Sequence, residues 1–200
     1  MKEQVEVFPK VFLIEEFLTP EEIAAFDKRC REATEEEWSA QIKKDYEQMA
    51  MEKFPDDEVA RSEFLERGWD KVWEDKHLSI DECGYTGAVH DRLYEVFDPK
   101  LYQINSPARA QRQYPGSDLR VHHDAEGNDT MAMSIVLYIN DDYNGGNLRF
   151  VDHDFEIKPK AGSLLVFPST DDYEHGVMTV EPGPTRYAIP AFVFHKESKK

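Results

Sequence analysis

The stretch Met133-Ser-Ile-Val-Leu-Tyr-Ile139 is a short apolar run rich in residues that favour β-strands. Further runs of this kind follow it, and turns such as Asn144-Gly-Gly146 separate them; these runs cover residues 147–151, 163–167 and 187–194. Short β-rich runs bounded by turn residues are typical of antiparallel all-β architectures. The sequence therefore predicts an antiparallel double sheet or jelly roll in the second half of the chain.

The residues before Pro107 carry mainly helical signals. Thr19-Pro-Glu-Glu22 and Thr34-Glu-Glu-Glu37 each have the pattern of a capping box, in which a threonine and a glutamate satisfy the first N–H groups of a helix. Apolar residues at helical spacing predict two further helices, over residues 58–73 and 89–97. Helices first and strands later indicate an α+β fold.

The length of the chain favours one domain. Two hundred residues can enclose one sizeable core but are few for two independent domains. We expect a single domain over residues 1–200, in which residues 1–106 form a mainly helical support and residues 107–195 form the β-rich catalytic core.

The composition of the chain argues against several classes of partner. Its 24 basic and 41 acidic residues give a formal net charge of −17, so a basic face for nucleic acid is not expected. Two cysteines are too few for a disulfide framework, and no apolar run is long enough for a membrane span. The first residues do not resemble a secretory leader. We expect a cytoplasmic protein, monomeric or weakly oligomeric, without nucleic-acid or membrane partners.

A candidate metal site begins in Val121-His-His-Asp124. Because His122 and Asp124 are two positions apart, a strand would project both side chains from one face. His175 lies on a later β-rich stretch and would complete a set of two imidazoles and one carboxylate if the two strands were neighbours. That set is the facial triad of non-haem iron(II) oxygenases, which leaves coordination positions open.

Other interpretations of these histidines remain open. The His-x-Asp pattern is short, so a surface pair of His122 and Asp124 is the simple alternative. His153, between Asp152 and Asp154, could form a rival site, although its stretch follows a glycine turn and resembles a solvated loop. Two histidines and one carboxylate can also hold catalytic zinc.

Arg186 is a candidate clamp for an anionic cosubstrate. It begins a β-rich run after the turn Pro182-Gly-Pro184, so it could point toward the metal from a neighbouring strand. A guanidinium offers a planar pair of donors that matches a carboxylate. A solvated surface arginine is the alternative.

Eight short motifs occur in one order over about residues 107–195. They are Tyr114-Pro-Gly116, His122-x-Asp124, Leu137-Tyr-Ile-Asn-Asp141, Gly145-Gly-Asn-Leu-Arg-Phe150, Ile157-x-Pro-Lys160, a strand ending at Phe167, His175-x-Val177 and Thr185-Arg-Tyr-Ala-Ile189. Together these motifs resemble the prolyl 4-hydroxylase branch of the 2-oxoglutarate and iron(II)-dependent dioxygenases. The likeness is strongest to the oxygen-sensing prolyl hydroxylases and their bacterial relatives.

This resemblance implies a double-stranded β-helix core with supporting helices. It also implies iron(II), 2-oxoglutarate and dioxygen as reactants, with ascorbate as a supporting reductant. The residue roles that it implies are iron ligation by His122, Asp124 and His175, binding of the distal carboxylate of 2-oxoglutarate by Arg186, and hydroxyl donation to 2-oxoglutarate by Tyr114 and Tyr138.

The expected function is hydroxylation of a prolyl residue in a protein or peptide, with conversion of 2-oxoglutarate to succinate and carbon dioxide. Two departures leave the substrate open: Asn147 stands where many family members have glutamate, and residues 30–90 match nothing in the family. One alternative is the same chemistry on a free amino acid or another small molecule. A second is a non-catalytic β-helix interaction module, and a third is zinc hydrolysis.

Overall fold

The fold is described from a computed structural model, which covers residues 3–69, 77–125 and 128–196. The first part of the chain is mainly helical, and the strands of the second part form antiparallel sheets, as predicted for an α+β protein. The elements of the first part are β1 (Val5–Phe8), β2 (Val11–Ile14), α1 (Pro20–Glu32), α2 (Glu35–Lys53), α3 (Glu58–Trp69), β3 (His77–Ser79) and α4 (His90–Val96).

The strands of the second part are short, apart from the two that cross the centre of the larger sheet. They are β4 (Tyr102–Asn105), β5 (Arg109–Gln113), β6 (Leu119–His122), β7 (Met131–Tyr138), β8 (Asn144–Gly145), β9 (Leu148–Phe150), β10 (Phe155–Ile157), β11 (Leu164–Pro168), β12 (His175–Val177), β13 (Val180–Glu181) and β14 (Arg186–His195).

The described strands form two large sheets and a separate two-stranded sheet of β8 and β13. The larger has the order β1-β2-β11-β7-β14-β5-β3, with β4 also paired to β14, and the smaller has the order β10-β9-β12-β6. All of these pairs are antiparallel. The larger sheet contains strands from both halves of the chain. The strands β1 and β2 at one edge and β3 at the other edge come from the mainly helical first half.

Both predicted capping boxes are present. Thr19 accepts a hydrogen bond from the N–H of Glu22 at the start of α1, and Thr34 does the same from Glu37 at the start of α2. The predicted helix over residues 58–73 is described as far as Trp69, and its last part lies outside the described residues. The predicted helix over 89–97 appears as α4, preceded by one π-helical turn at Tyr85–Val89.

Alternation along the strands divides the core into two layers. On β7, Ile135 and Leu137 belong to the cluster that packs against the helices, whereas Tyr138 belongs to the cluster shared with the smaller sheet. Successive side chains of a strand point to opposite faces, which explains this division. The side chains that face the smaller sheet are therefore available to build an enclosed site between the sheets.

The start of α2 is fixed to the outer face of the larger sheet by Trp38, which is 1% exposed. Its ring stacks on Tyr187 of β14 with a centroid distance of 5.9 Å, and the Arg112 guanidinium of β5 lies 4.5 Å from its centroid. Arg112 also donates to the Glu35 carboxylate at the first residue of α2.

Among the described residues, no helix is both long and apolar enough to cross a bilayer.

Replacing Leu137 with alanine should lower the free energy of unfolding by about 2–5 kcal/mol, because this fully buried side chain lies at the centre of the larger sheet. Urea denaturation would measure the change. Leu101→Ala, at a side chain that is 57% exposed, should change stability by less than about 0.5 kcal/mol. Equal losses in the two variants would contradict the assignment of the core.

Candidate active site

Three potential metal ligands meet where the strands β6 and β12 lie side by side. His175 is paired with His122 across the two strands, and Asp124 follows His122 at the end of β6. One ligand atom from each residue lies within 4.8 Å of the other two. Among the described residues, these three form the only cluster of this kind, so the rival site around His153 is not assembled.

Backbone carbonyls orient both imidazoles. The Nδ1 atom of His122 is 2.9 Å from the Arg120 carbonyl oxygen, and that of His175 is 3.0 Å from the Tyr173 carbonyl oxygen. Nδ1 therefore carries the proton that is donated, and Nε2 is left as the ligand atom, as in many metal-binding histidines. Both Nε2 atoms face Asp124, at 3.3 Å from Oδ1 for His122 and 3.5 Å from Oδ2 for His175.

The carboxylate of Asp124 is held by hydroxyl groups. Ser134 donates from its Oγ to Oδ2 of Asp124 at 2.6 Å, and the Ser134 and Ser169 hydroxyls are 2.8 Å apart. Both serines are buried. A carboxylate fixed by such hydrogen bonds needs little reorganisation on metal binding. The two serines therefore keep Asp124 oriented as a metal ligand.

The protonation states suit a metal. Burial lowers the pKa of His175, so its imidazole is neutral at neutral pH. Burial alone would raise the pKa of Asp124, but hydrogen bonds from His122 and Ser134 and the proximity of His175 hold that pKa below its ordinary value. The Asp124 hydrogen bond raises the pKa of His122, so a metal ion must compete with a proton there as the pH falls.

The donor set fits a non-haem iron(II) centre. Two imidazole nitrogens and one carboxylate oxygen would occupy one face of the ion and leave the opposite face for other ligands. The three residues lie in the wall of a cavity of about 380 Å³, into which a second reactant could enter. That volume is within the usual range for small-molecule sites.

Arg186 lies in the same cavity as the triad and is 4% exposed. Its Nη1 donates to Oε1 of Gln113 at 2.7 Å, and its guanidinium carbon is 5.2 Å from the ring centre of Tyr138 and 5.8 Å from that of Tyr143. The Nε atom of Arg186 and both tyrosine hydroxyls are buried without a hydrogen-bond partner among the described residues.

These buried donors fit a carboxylate. Buried polar groups are almost always hydrogen-bonded, so three unsatisfied donors around one guanidinium indicate a ligand rich in acceptor atoms. Burial raises the pKa of Tyr138 to about 12 and also raises that of Tyr143, so both phenols keep their protons and can donate at neutral pH. The cavity thus pairs a metal-ligand set with an anion-binding end.

The structure does not bring Tyr114 into this cavity. Its side chain is 40% exposed, and its hydroxyl is 3.2 Å from a carboxylate oxygen of Glu35 on α2. It lies on the outer face of the sheet because β5 directs Gln113 inward and Arg112 outward. Tyr114 therefore lies apart from Arg186 and Tyr138, which are close together, and its contact with the cosubstrate stays a prediction.

Sequence reasoning missed Tyr143. It follows β7 in an irregular segment without periodicity, and its burial depends on the glycine turn after it. A side chain at Gly146 would place its Cβ 3.1 Å from two ring carbons of Tyr143, so glycine leaves the space that the ring occupies. An aromatic residue directly before Asn144-Gly-Gly146 was the only signal in the sequence.

Comparisons with known proteins find an oxygenase family model that matches part of this chain. Residues 108–194 match the model of the 2OG-Fe(II) oxygenase superfamily. Prolyl 3-hydroxylase 2 from Mus musculus is 40% identical over 55 residues, which are 25% of this chain and 8% of that protein. The matched segment thus spans less than a tenth of the curated relatives.

Two solved structures give similarity in three dimensions. A truncated form of the viral collagen prolyl hydroxylase vCPH from Paramecium Bursaria Chlorella virus-1 has a TM-score of 0.56 and 14% identity, over 98% of this chain and 96% of that chain. A Pseudomonas putida prolyl-4-hydroxylase has a TM-score of 0.40 and 25% identity, over 54% and 57% of the two chains. The likeness to the viral enzyme confirms the predicted jelly-roll core with supporting helices.

Replacing Ser134 with alanine should weaken Fe(II) binding by about 10–100-fold, because the Asp124 carboxylate loses the hydroxyl that orients it. Anaerobic calorimetric titration would measure the affinity. His175→Ala should weaken binding further, since a ligand itself is lost. His123→Ala, next to the site but outside the ligand set, is the control. Unchanged affinity in His175→Ala would contradict the proposed centre.

Proposed function

We propose that this chain, whose residues 108–194 match the model of the 2OG-Fe(II) oxygenase superfamily, hydroxylates a prolyl residue in a protein or peptide. The observation that carries the proposal is the shared cavity of the metal-ligand triad and Arg186. One site thus contains a ligand set suited to iron(II) and a cation suited to the far carboxylate of 2-oxoglutarate.

His122, Asp124 and His175 would hold the iron. When bound, iron and 2-oxoglutarate supply the oxidation: one atom of dioxygen enters succinate as carbon dioxide leaves, and the other enters a C–H bond of the substrate. The part of the protein is to fix the ligand geometry through the Arg120 and Tyr173 carbonyls and the Ser134 hydroxyl.

Arg186 would bind the distal carboxylate, and Tyr138 and Tyr143 would donate hydroxyl hydrogen bonds to it. Gln113 accepts a hydrogen bond from Nη1 of Arg186, whereas Nε of Arg186 has no hydrogen-bond partner among the described residues. Tyr143 thus takes the place that sequence reasoning gave to Tyr114. A dicarboxylate satisfies these buried donors, which is the physical reason that the site would select 2-oxoglutarate.

Apolar side chains in the cavity wall would exclude water. Leu148, Phe167 and Val177 line the cavity, and the Phe167 ring meets the His175 ring edge-on at a centroid distance of 4.6 Å. A dry site strengthens the contacts between its charged groups and protects a reactive oxidant from side reactions.

Two observations support a prolyl substrate. The cavity also has a wall of Pro107, Pro190 and Phe192, an apolar surface on which a pyrrolidine ring can pack. The relative with 40% identity over 55 residues is a prolyl 3-hydroxylase.

The proposal further includes ascorbate as a supporting reductant, a cytoplasmic location, one domain over residues 1–200 and a monomeric or weakly oligomeric state. The net charge of −17 supports the expectation of no nucleic-acid partner.

Incubation with Fe(II), ascorbate, 2-oxoglutarate and proline-containing peptides should release succinate and add the mass of one oxygen atom to a peptide. Mass spectrometry of substrate and cosubstrate would measure both products, and Asp124→Ala, which lacks a metal ligand, should form neither. Oxidation of free proline but of no peptide would assign the small-molecule alternative. Failure of the iron-loaded, folded protein to consume 2-oxoglutarate would refute the oxygenase itself.

Tyr143→Phe should weaken 2-oxoglutarate binding by about 2–10-fold, because one neutral hydrogen bond is lost. Arg186→Ala should cost about 2–5 kcal/mol, since a charged partner of the carboxylate is removed. Anaerobic calorimetry with Mn(II) in place of iron would measure both. Tyr114→Phe is the matched control and should bind normally. A loss in Tyr114→Phe with none in Tyr143→Phe would reverse the assignment.

A further inference from the structure

The cavity has an arginine at each end of one sheet wall. On β14 the side chains of Arg186, Ala188 and Pro190 line it, and on β5 those of Gln113 and Arg109 do so. The two strands are antiparallel neighbours, with Arg186 paired to Gln113. Because Arg109 is four residues from Gln113 on an extended strand, the two arginine positions are separated by about 13 Å along the sheet.

The two ends of this wall differ in depth. Arg186 is 4% exposed and belongs to the anion-binding end described above, whereas Arg109 is partly exposed. The Arg109 end is therefore nearer to solvent. The apolar residues Pro107 and Pro190, which the cosubstrate does not require, line the cavity together with Arg109. A substrate that enters from this end would meet a cation and an apolar surface together.

The β3 edge adds hydrogen-bonding groups near Arg109. Ser79 of β3 is paired with Arg109, and His77 is paired with Gln111. The Nε2 atom of Gln111 donates to Nε2 of His77 at 2.8 Å, and both residues line the cavity. A guanidinium has five N–H donors, so a partner within the protein leaves donors for a ligand.

Charge makes this position selective. The chain has a formal net charge of −17, which on average repels anionic ligands. The Arg109 guanidinium puts a cationic group in the cavity wall, and its planar donors match a carboxylate better than a single carbonyl oxygen. Cationic substrates would gain nothing at this end, although the overall charge attracts them.

We propose that Arg109 binds a carboxylate of the substrate and so determines its class. The inference rests on the proposed function and extends it: the substrate is a prolyl unit with an acidic group close to the ring. The carboxylate comes either from the proline itself, as a free or C-terminal residue, or from an acidic side chain beside it in a peptide.

Matched probes separate these two sources without turnover. N-acetylproline and N-acetylprolinamide differ in the terminal carboxylate, and two capped peptides with Pro-Glu or Pro-Gln differ in a side-chain carboxylate. Each would be titrated into protein loaded with Mn(II) and 2-oxoglutarate without oxygen. In one of the pairs, the acidic probe should bind at least about tenfold more tightly than the neutral probe, because only the acidic probe forms a charge-assisted hydrogen bond.

The variants connect this preference to Arg109. Arg109→Gln should remove it, Arg109→Lys should retain it in reduced form, and the exposed control Lys100→Gln, which loses the same charge, should keep it unchanged. Thermal unfolding checks that each variant is folded. If Arg109 contributed to stability alone, its replacement would lower the unfolding temperature without changing the ratio of the binding affinities for the acid and the amide.

The outcomes distinguish this inference from the proposed function. A preference in the first pair identifies a free or C-terminal carboxylate, and one in the second identifies an acidic side chain. Equal binding of acid and amide by the wild type in both pairs, or an unchanged preference in folded Arg109→Gln, would overturn the role of Arg109. Absence of hydroxylation despite an Arg109-dependent preference would refute the proposed reaction and leave the carboxylate site standing.

Discussion

The antiparallel register of β6 and β12 is the constraint on which the active site depends. It places His175 directly across from His122, so that the centroids of the two imidazole rings are 4.7 Å apart. Gly176 makes this pairing possible, because a Cβ atom at that position would lie 2.7 Å from the Leu119 carbonyl oxygen. A slip of one residue between the strands would turn one of these side chains to the opposite face of the sheet. The geometry of the metal ligands therefore depends on this register.

A second register, between β14 and β5, connects the site to the helices. It pairs Arg186 with Gln113 inside the cavity, and the next residue on β14, Tyr187, points outward onto Trp38. The helical half therefore does more than cover the sheet, because α2 packs on the two strands that carry the anion-binding end. This arrangement gives a physical role to the helical segment, of which residues 30–90 match none of the sequence motifs.

The electrostatics of the cavity oppose those of the surface. The chain is strongly acidic overall, yet a buried arginine and a partly exposed one line the same cavity. Burial of Arg186 with unsatisfied tyrosine hydroxyls beside it costs stability, because each buried donor without a partner retains a desolvation penalty. An anionic ligand would recover that cost, so the site is arranged for a bound state.

The sequence by itself determined the local features of this protein. Capping boxes at Thr19 and Thr34, the β-rich runs and the spacing of His122 and Asp124 depend on residues a few positions apart. The ordered motifs added the likeness to the 2OG-Fe(II) oxygenase superfamily and the jelly-roll core. Only the tertiary structure decided which distant side chains share the cavity. It placed Tyr143 rather than Tyr114 beside Arg186 and set Arg109 at the opposite end, because the face of a strand and the register of its pairing are fixed by packing across the whole sheet.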